Sequence, residues 1–408
     1  MVLITTTLAT GVCSGAEMLE VLAIGQVMPG ESPIPTWFDA DPLVSYVLIP
    51  TDIDILSGQG VAGEVLLADR WRRYVRIYFP KNRRELVEGF EFLVFPDGYL
   101  DPFTSAQIED MRCAVEEGMG SFVTMGGDLS GPSKKSYPGW KSSVLSDILP
   151  VELVDKMDQD GSGFKVKVEK MEPALISMFI PLGIERVTGS GGFTDLYPKP
   201  GTTIWGRMVL LALSKGDGNP WLVSRRYGPE GGYSWAIADD LDHPWWSSVH
   251  SRGENEYGMD LFLNILLFST GRNLPDDILL LHEVRDRYWR HNQRKELLLS
   301  LLEFVDRFGA NTRSLQGQIE EVDRLKLESF EFYRLQEYEN AISRMDEARD
   351  RISAISDGAV ELKETALFWV YLTEWCVVAG TSFAVGLVTY ALLVKRGLYR
   401  EVKVTRSR

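Results

Sequence analysis

Short apolar runs alternate with polar and turn-forming stretches through the first two thirds of the chain. Val21–Ile24, Tyr46–Ile49, Tyr74–Tyr78, Phe92–Phe95 and Ser121–Met125 have the length and composition of β-strands. Runs such as Phe92-Leu-Val-Phe95, closed by Pro96-Asp-Gly98, carry no polar alternation, which predicts strands covered on both faces. Between the last two runs, Ile108, Met111 and Val115 fall on one side of a helix that Thr104 or Ser105 caps and Gly118 stops. Strand, helix and strand at this spacing make a parallel crossover unit. From Phe164 onward, Phe164–Val168, Trp205–Leu213, Trp221–Tyr227 and Tyr233–Ala238 follow one another without long helices, the pattern of an antiparallel extension, and Tyr257–Ser269 reads as a closing helix on the sheet. The predicted fold is therefore α/β, with a flavodoxin-like, largely parallel sheet.

Beyond Asn273-Leu-Pro-Asp-Asp277 the pattern turns helical. Leu297, Leu298, Leu301, Leu302, Val305 and Phe308 mark one amphipathic helix, ended by Gly309. Leu315, Ile319, Val322 and Leu325 start a second, which Leu335, Tyr338, Ile342, Met345 and Ile352 continue with coiled-coil-like spacing. Its length implies a folded-back hairpin or stalk, and Asp357-Gly358 predicts a break before the last element. Phe332–Ile342 resembles half of a tetratricopeptide unit, but a lone copy has no neighbour to stack on, and an ordinary packed helix is the simpler expectation. Trp375–Val394 is an uninterrupted uncharged stretch preceded by Glu374 and ended by Lys395-Arg396. At about 1.5 Å per residue it matches the ~30 Å of a bilayer core. Trp369, Tyr371, Trp375, Tyr390 and Tyr399 stand where interfacial aromatics belong. The expected organisation is a signal-like segment over 1–16, an α/β domain over 17–272, a helical stalk over 273–361, a transmembrane helix over 362–396 and a basic tail over 397–408.

Charge sharpens this picture. The 408-residue chain has a formal charge of −15. The residues from Lys395 onward carry a net +5, which leaves −20 for the rest. An acidic body argues against nucleic acid as a partner, and the basic tail predicts a cytoplasmic C-terminus with the body outside the cell membrane. The partners expected are the bilayer itself and a membrane or surface protein, a second copy of the chain included. A tail-anchored protein with its body in the cytosol is the competing topology. Val2–Ala16 has the apolar stretch and small residues of an export signal without a basic start.

Candidate chemistry is sparse. Cys13, Cys113 and Cys376 form no paired or zinc-binding spacing, and Cys113 reads as a buried apolar residue of its helix. Asp158–Gly163 has the look of a calcium loop with lysines where its end ligands belong, so a hairpin turn is expected there. Gly189-Ser-Gly-Gly192 reads as a surface loop. His282 falls in the linker helix and His291 on a solvated face. Asp239, Asp240, Asp242 and His243 are the densest polar cluster, at a strand end where open α/β sheets bind ligands. The nearby Trp235, Trp245 and Trp246 are either packing residues or a stacking platform for a sugar. No metal and no cofactor is expected. In the apolar helix, Cys376, Gly380 and Ala384 make a small-residue stripe suited to helix–helix packing.

Phe92–Gly98, the following helix and Gly118–Gly127 together resemble the heart of the class I glutamine amidotransferase-like fold. Val144–Pro150, Asn219–Gly228 and Asp239–Trp246 resemble its membrane-associated, non-glutaminase branch. Phe308–Thr312 and the stretch from Glu374 to Arg406 resemble an archaeal membrane-anchored family of unassigned function, which implies an archaeal source. The resemblance implies a nucleophilic cysteine at Met125-Gly126-Gly127, where none stands. It also implies a His-Pro-Glu element, of which His243-Pro244 remains while Trp245 takes the glutamate's place. Glutaminase chemistry is therefore not expected, and the leading reading is a catalytically inactive binding or scaffold module. A hydrolase-like or carbohydrate-handling enzyme using Asp239–His243 and a cytosol-facing adaptor are the alternatives.

Overall fold

The computed structural model describes residues 18–30, 32–51, 60–155, 159–160, 163–211, 218–246, 255–308 and 313–405, the side chains of 60–68, 128, 159–160, 313–314, 316 and 400–405 excepted. The signal-like segment and most of the glycine-rich turn after Asp158 lie outside the described residues, as does Cys13. The chain divides into two compact units. One runs through Trp289 and takes in Phe330–Glu339; the other comprises Arg290–Ser329 and the chain from Asn340 onward.

The first unit is built in the order β1 (Leu19–Gly25), α1 (Ile34–Ala40), β2 (Val44–Pro50), α2 (Gly60–Tyr78), α3 (Arg83–Gly89), β3 (Phe92–Phe95), α4 (Ser105–Glu116), β4 (Gly120–Thr124) and α5 (Ser136–Ser142). It continues with β5 (Gln159–Asp160), β6 (Phe164–Val168), β7 (Thr188–Gly189), β8 (Phe193–Thr194), β9 (Thr203–Leu210), β10 (Asn219–Arg226), β11 (Tyr233–Ile237) and α6 (Gly258–Ser269). Nine strands form one sheet in the order β2-β1-β3-β4-β11-β10-β9-β6-β7. From β2 to β11 the pairs are parallel, and from β11 to β7 they are antiparallel. The α/β fold with a parallel core and an antiparallel extension is therefore as the apolar pattern predicts.

The β3 and β4 side chains are all buried, as strands covered on both faces require. On one face Phe262 of α6 meets Trp37, Phe38 and Phe122 with ring centroids 5.1–6.2 Å apart. On the other, Trp140 of α5 stands edge-on to Phe95 at 5.3 Å and donates its indole N–H to the Gly98 carbonyl. Helix α4 begins on a capping box: Thr104 Oγ1 accepts the Gln107 amide, and the Gln107 side chain accepts the Thr104 amide.

Two expectations fail here. Tyr74–Tyr78 lies inside helix α2, not in a strand; Trp71, Val75 and Phe79 recur every four residues and all are buried, so the helical period wins over β propensity. Cys113 is half-buried rather than core, its Sγ 3.6 Å from Glu109 Oε1 beside Arg112.

Helix α7 (Ile278–Arg307) opens in the first unit, where a buried ion network fixes it. Arg285, fully buried, donates to Asp41 Oδ2 at 2.7 Å and to Asp260 Oδ1 at 2.8 Å. Tyr333 adds its hydroxyl to Asp41 at 2.9 Å, and His282 Nδ1 lies 2.6 Å from Asp260 Oδ2. These bonds explain why Phe330–Glu339, distant in sequence, folds with the sheet.

In the second unit, parts of α7, α8 (Arg313–Arg334) and α9 (Tyr338–Thr405) share one apolar cluster. It includes Leu298, Leu302, Leu315, Val322, Ile352 and Ile355. The chain turns at Leu335–Glu337, where Gln336 adopts φ 59°, and not at Asp357-Gly358. Helix α9 passes straight through that pair because Ile355 and Ala359 on either side are buried in the cluster. Leu297 points outward instead of into the core, as does Leu335. His291 is also not on a solvated face: it is buried, and neither ring nitrogen has a hydrogen-bond partner.

Helix α9 has 68 residues, about 100 Å at the α-helical rise. It contains a stretch long and apolar enough to cross a membrane, none of which is buried within the protein. Cys376, Gly380 and Ala384 lie in this exposed stretch. Thr373, Thr381 and Thr389 each return their hydroxyl to the carbonyl four residues earlier at 2.7–2.8 Å, so their polar groups are satisfied within the helix.

Candidate functional site

The carboxyl ends of the parallel strands bring four loops together. Gln26 follows β1, Asp97 follows β3, Gly126-Gly127 follow β4, and Asp239–His243 follow β11. The glycine-rich segment between β7 and β8 joins them: the Gly127 amide donates to the Gly192 carbonyl at 3.1 Å. That segment is thus part of the site and not the free surface loop its composition predicts. It must approach closely, because Gly191 holds φ 133° with its Cα against the His243 ring; a Cβ there would lie 2.9 Å from the imidazole.

Asp239, Asp240, Asp242 and His243 do come together. Asp239 is fully buried, and its Oδ1 lies 2.6 Å from His243 Nδ1. The imidazole therefore has an orienting acid, supplied from four residues upstream and not from position 245, where Trp245 stands. His243 Nε2 faces Asp242 Oδ1 at 3.8 Å. The other Asp242 oxygen accepts from Gln26 Nε2 at 3.2 Å, and Asp240 Oδ1 accepts its neighbour's amide at 2.7 Å. Asp239 and Asp240 are closed to solvent, whereas the side chains of His243 and Asp242 are 20% and 30% exposed and form the mouth.

Electrostatics follow from this crowding. Burial, with Asp240 beside it, pushes the Asp242 carboxyl up to about 6. Burial alone would lower the His243 pKa, but the Asp239 hydrogen bond and the charges of Asp239, Asp240 and Asp242 carry it to about 9. Asp239 is raised by its own burial, against the pull of His243. The imidazolium–carboxylate contact at 2.6 Å sets the state at neutral pH, so His243 is protonated there. Among the described residues no lysine or arginine pairs with Asp239, Asp240 or Asp242.

The turn Met125-Gly126-Gly127 has no space for a side chain at either glycine. Gly127 has φ 52°, and a Cβ on it would fall 2.5 and 2.7 Å from the Asp97 carboxylate oxygens and 2.7 Å from Asp240 Oδ2. Carboxylates fill the position instead. Asp97, itself at φ 47° and buried, donates its amide to Thr124 Oγ1 at 2.9 Å. Asp97 and Gln26 escape sequence reasoning: the first sits in what reads only as a strand-ending turn, the second is an isolated amide. The one available signal is their position directly after parallel strands.

Trp245 is not a stacking platform. It is fully buried, with ring centroids 4.5 Å from Trp221 and 4.9 Å from Trp246, and Trp235 packs on Trp205 at 5.2 Å. A cavity of about 620 Å³ lies at the amino ends of the parallel strands, around Gly118, Met119, Gly232 and Tyr233. The Ser269 and Thr270 hydroxyls that line it are spent on the Ile265 and Leu266 carbonyls of α6, whereas the paired carboxylates and imidazole lie at the carboxyl edge.

No family model matches the chain, and no curated protein does. Among solved structures, a ThuA-like protein from Parabacteroides merdae ATCC 43184 is similar at 11% identity and a TM-score of 0.38, over 64% of this chain and 94% of that one. The glutaminase domain of Trypanosoma brucei CTPS with bound acivicin is similar at 10% identity and a TM-score of 0.30, over 64% of this chain and 97% of that one. Likenesses of this degree assign neither ligand nor reaction.

Proposed function

We propose that this chain is a membrane-anchored binding module. Its α/β unit takes a cationic ligand at the carboxyl edge of the parallel strands, and the apolar stretch of α9 holds it in the bilayer. The observation that carries the reading is the turn after β4: Gly127 leaves no room for a side chain, and carboxylate oxygens of Asp97 and Asp240 occupy the space. Three carboxylates, Asp239, Asp240 and Asp242, face the single imidazolium of His243 and, among the described residues, no lysine or arginine; such an excess of acid is costly to bury, and a bound cation relieves that cost. Glutaminase chemistry has no nucleophile here. The expected result is no ammonia release from glutamine, together with thermal stabilisation of the detergent-solubilised intact chain by members of a cationic panel (spermine, an arginine-rich peptide, Mg²⁺, Mn²⁺, Zn²⁺). Asp240→Asn is expected to abolish the stabilisation. No response to any cation, or an undiminished response in Asp240→Asn, would overturn the reading.

The Asp239–His243 contact favours a second reading, a hydrolase in which His243 handles a proton of water. A turnover found in a substrate screen, then lost in His243→Gln with the fold retained, would replace the binding module by that enzyme.

A further inference from the structure

We infer that the cationic ligand is a divalent transition-metal ion, of which Zn²⁺ is the best fit, held by Asp240, Asp242 and His243. The inference rests on the binding reading above and deepens it. One ligand atom from each of the three residues lies within 4.8 Å of the other two. Zinc takes nitrogen and carboxylate oxygen at about 2.0–2.2 Å, so side-chain rotations moving these atoms by roughly an ångström bring them onto one ion.

Two oxygens set this cluster apart from an ordinary acidic loop. Asp242 Oδ1, which faces His243 Nε2, is closed to solvent and has no hydrogen-bond donor among the described residues. Asp239, fully buried, likewise keeps Oδ2 without a donor. Buried carboxylate oxygens ordinarily find donors, and orphans point to an ion or water that belongs there.

The ligands are also held from behind in the way metal sites require. Asp239 takes His243 Nδ1, which leaves Nε2 as the coordinating atom; carboxylate behind histidine is the usual support of a metal-bound imidazole. Gly191 packs against the ring, and Gln26 fixes the second oxygen of Asp242. Loading the ion displaces one proton from Nε2 to solvent and changes no oxidation state. One nitrogen with carboxylate oxygens favours zinc over magnesium, because imidazole is the softer donor. Three protein ligands leave a coordination position for water.

The test is titration of the intact, detergent-solubilised chain with Zn²⁺ by calorimetry, and with Mn²⁺ by loss of the free-ion EPR signal. One ion per chain is expected. Asp242→Asn, at the partly exposed mouth, should keep the fold by circular dichroism and lose at least tenfold in affinity. Asp239→Asn, which removes the carboxylate behind His243, should weaken binding about 10- to 100-fold. Saturable binding that survives both substitutions unchanged would overturn the inference, as would no binding by a folded wild-type chain. If spermine or the arginine-rich peptide stabilises the chain while neither metal binds, the metal assignment fails and the binding module stands.

Discussion

His291 shows what a single misplaced polar group does to the second unit. Both ring nitrogens are buried without partners, and burial, with Lys326 and Lys295 nearby, lowers its pKa to about 4 although Asp323 opposes the shift. The folded state therefore binds its proton less readily than the unfolded chain, whose histidine titrates near ~6.5. The sign follows: the contribution is intact above pH ~6.5 and is lost as pH falls toward 4, by about 3 kcal/mol at most. His291→Leu should remove this acid sensitivity and stabilise the helices even at neutral pH, since an unpaired buried polar group is replaced by an apolar one of similar size. Melting temperatures of wild-type and variant from pH 7 to pH 4 check it; parallel curves would contradict it. This residue was illegible in the sequence because charged neighbours, Arg290 and Arg294, suggest an outer face. The Asp239–His243 run is a different case. It reads as a polar cluster at a strand end, but the pairing of its first and last members depends on a turn that composition does not encode. Asp97 required the tertiary fold outright, since only the parallel order of β3 beside β4 brings it to Gly127.

At the scale of elements, periodicity succeeded wherever burial was two-sided or strongly one-sided. Strands β1, β3, β4, β6 and the β9–β11 meander, and helices α4 and α6, lie where the apolar pattern places them. It failed where local residues and packing disagree. Tyr74–Tyr78 is rich in β formers, but three large apolar side chains at four-residue spacing fix a helix. Asp357-Gly358 has the chemistry of a helix end, but the apolar cluster formed with Leu315 and Ile352 holds the helix through it. Gly358 is then a helix-interior glycine, which costs about 0.5–1 kcal/mol relative to alanine. A Cβ there would meet only Leu315 Cδ2, at an ordinary 3.6 Å. Gly358→Ala should therefore stabilise the second unit by about that amount, read from chemical denaturation of the intact chain in detergent. A destabilised variant would mean that the glycine serves a bend.

For the whole molecule, the consequential asymmetry is of charge along one continuous helix. The chain before the basic tail carries −20 and the residues from Lys395 onward +5, with the apolar, fully exposed part of α9 between them. Apolar surface of that extent, with its threonine hydroxyls satisfied internally, is stable in lipid and not in water. The chain should therefore remain with membranes through alkaline extraction, and removal of 366–396 should release it. Lysine and arginine near a membrane helix favour the cytoplasmic side, while Asp and Glu weigh little in that choice. The tail, with Lys395, Arg396, Arg400 and Lys403 against Glu401, is therefore predicted to face the cytoplasm, with the α/β unit outside. Protease added to intact cells should digest the α/β unit while an epitope placed after Arg408 stays protected. Exchange of Lys395, Arg396 and Arg400 for glutamate should reduce the fraction with this topology, because the determinant that retains the tail is gone. If the α/β unit is protected in the wild-type chain and becomes accessible only after lysis, the body is cytosolic and the tail-anchored arrangement is the correct one. A metal-binding site at the carboxyl edge would then draw on the cytosolic ion pool, and the partner to seek would be a cytosolic one.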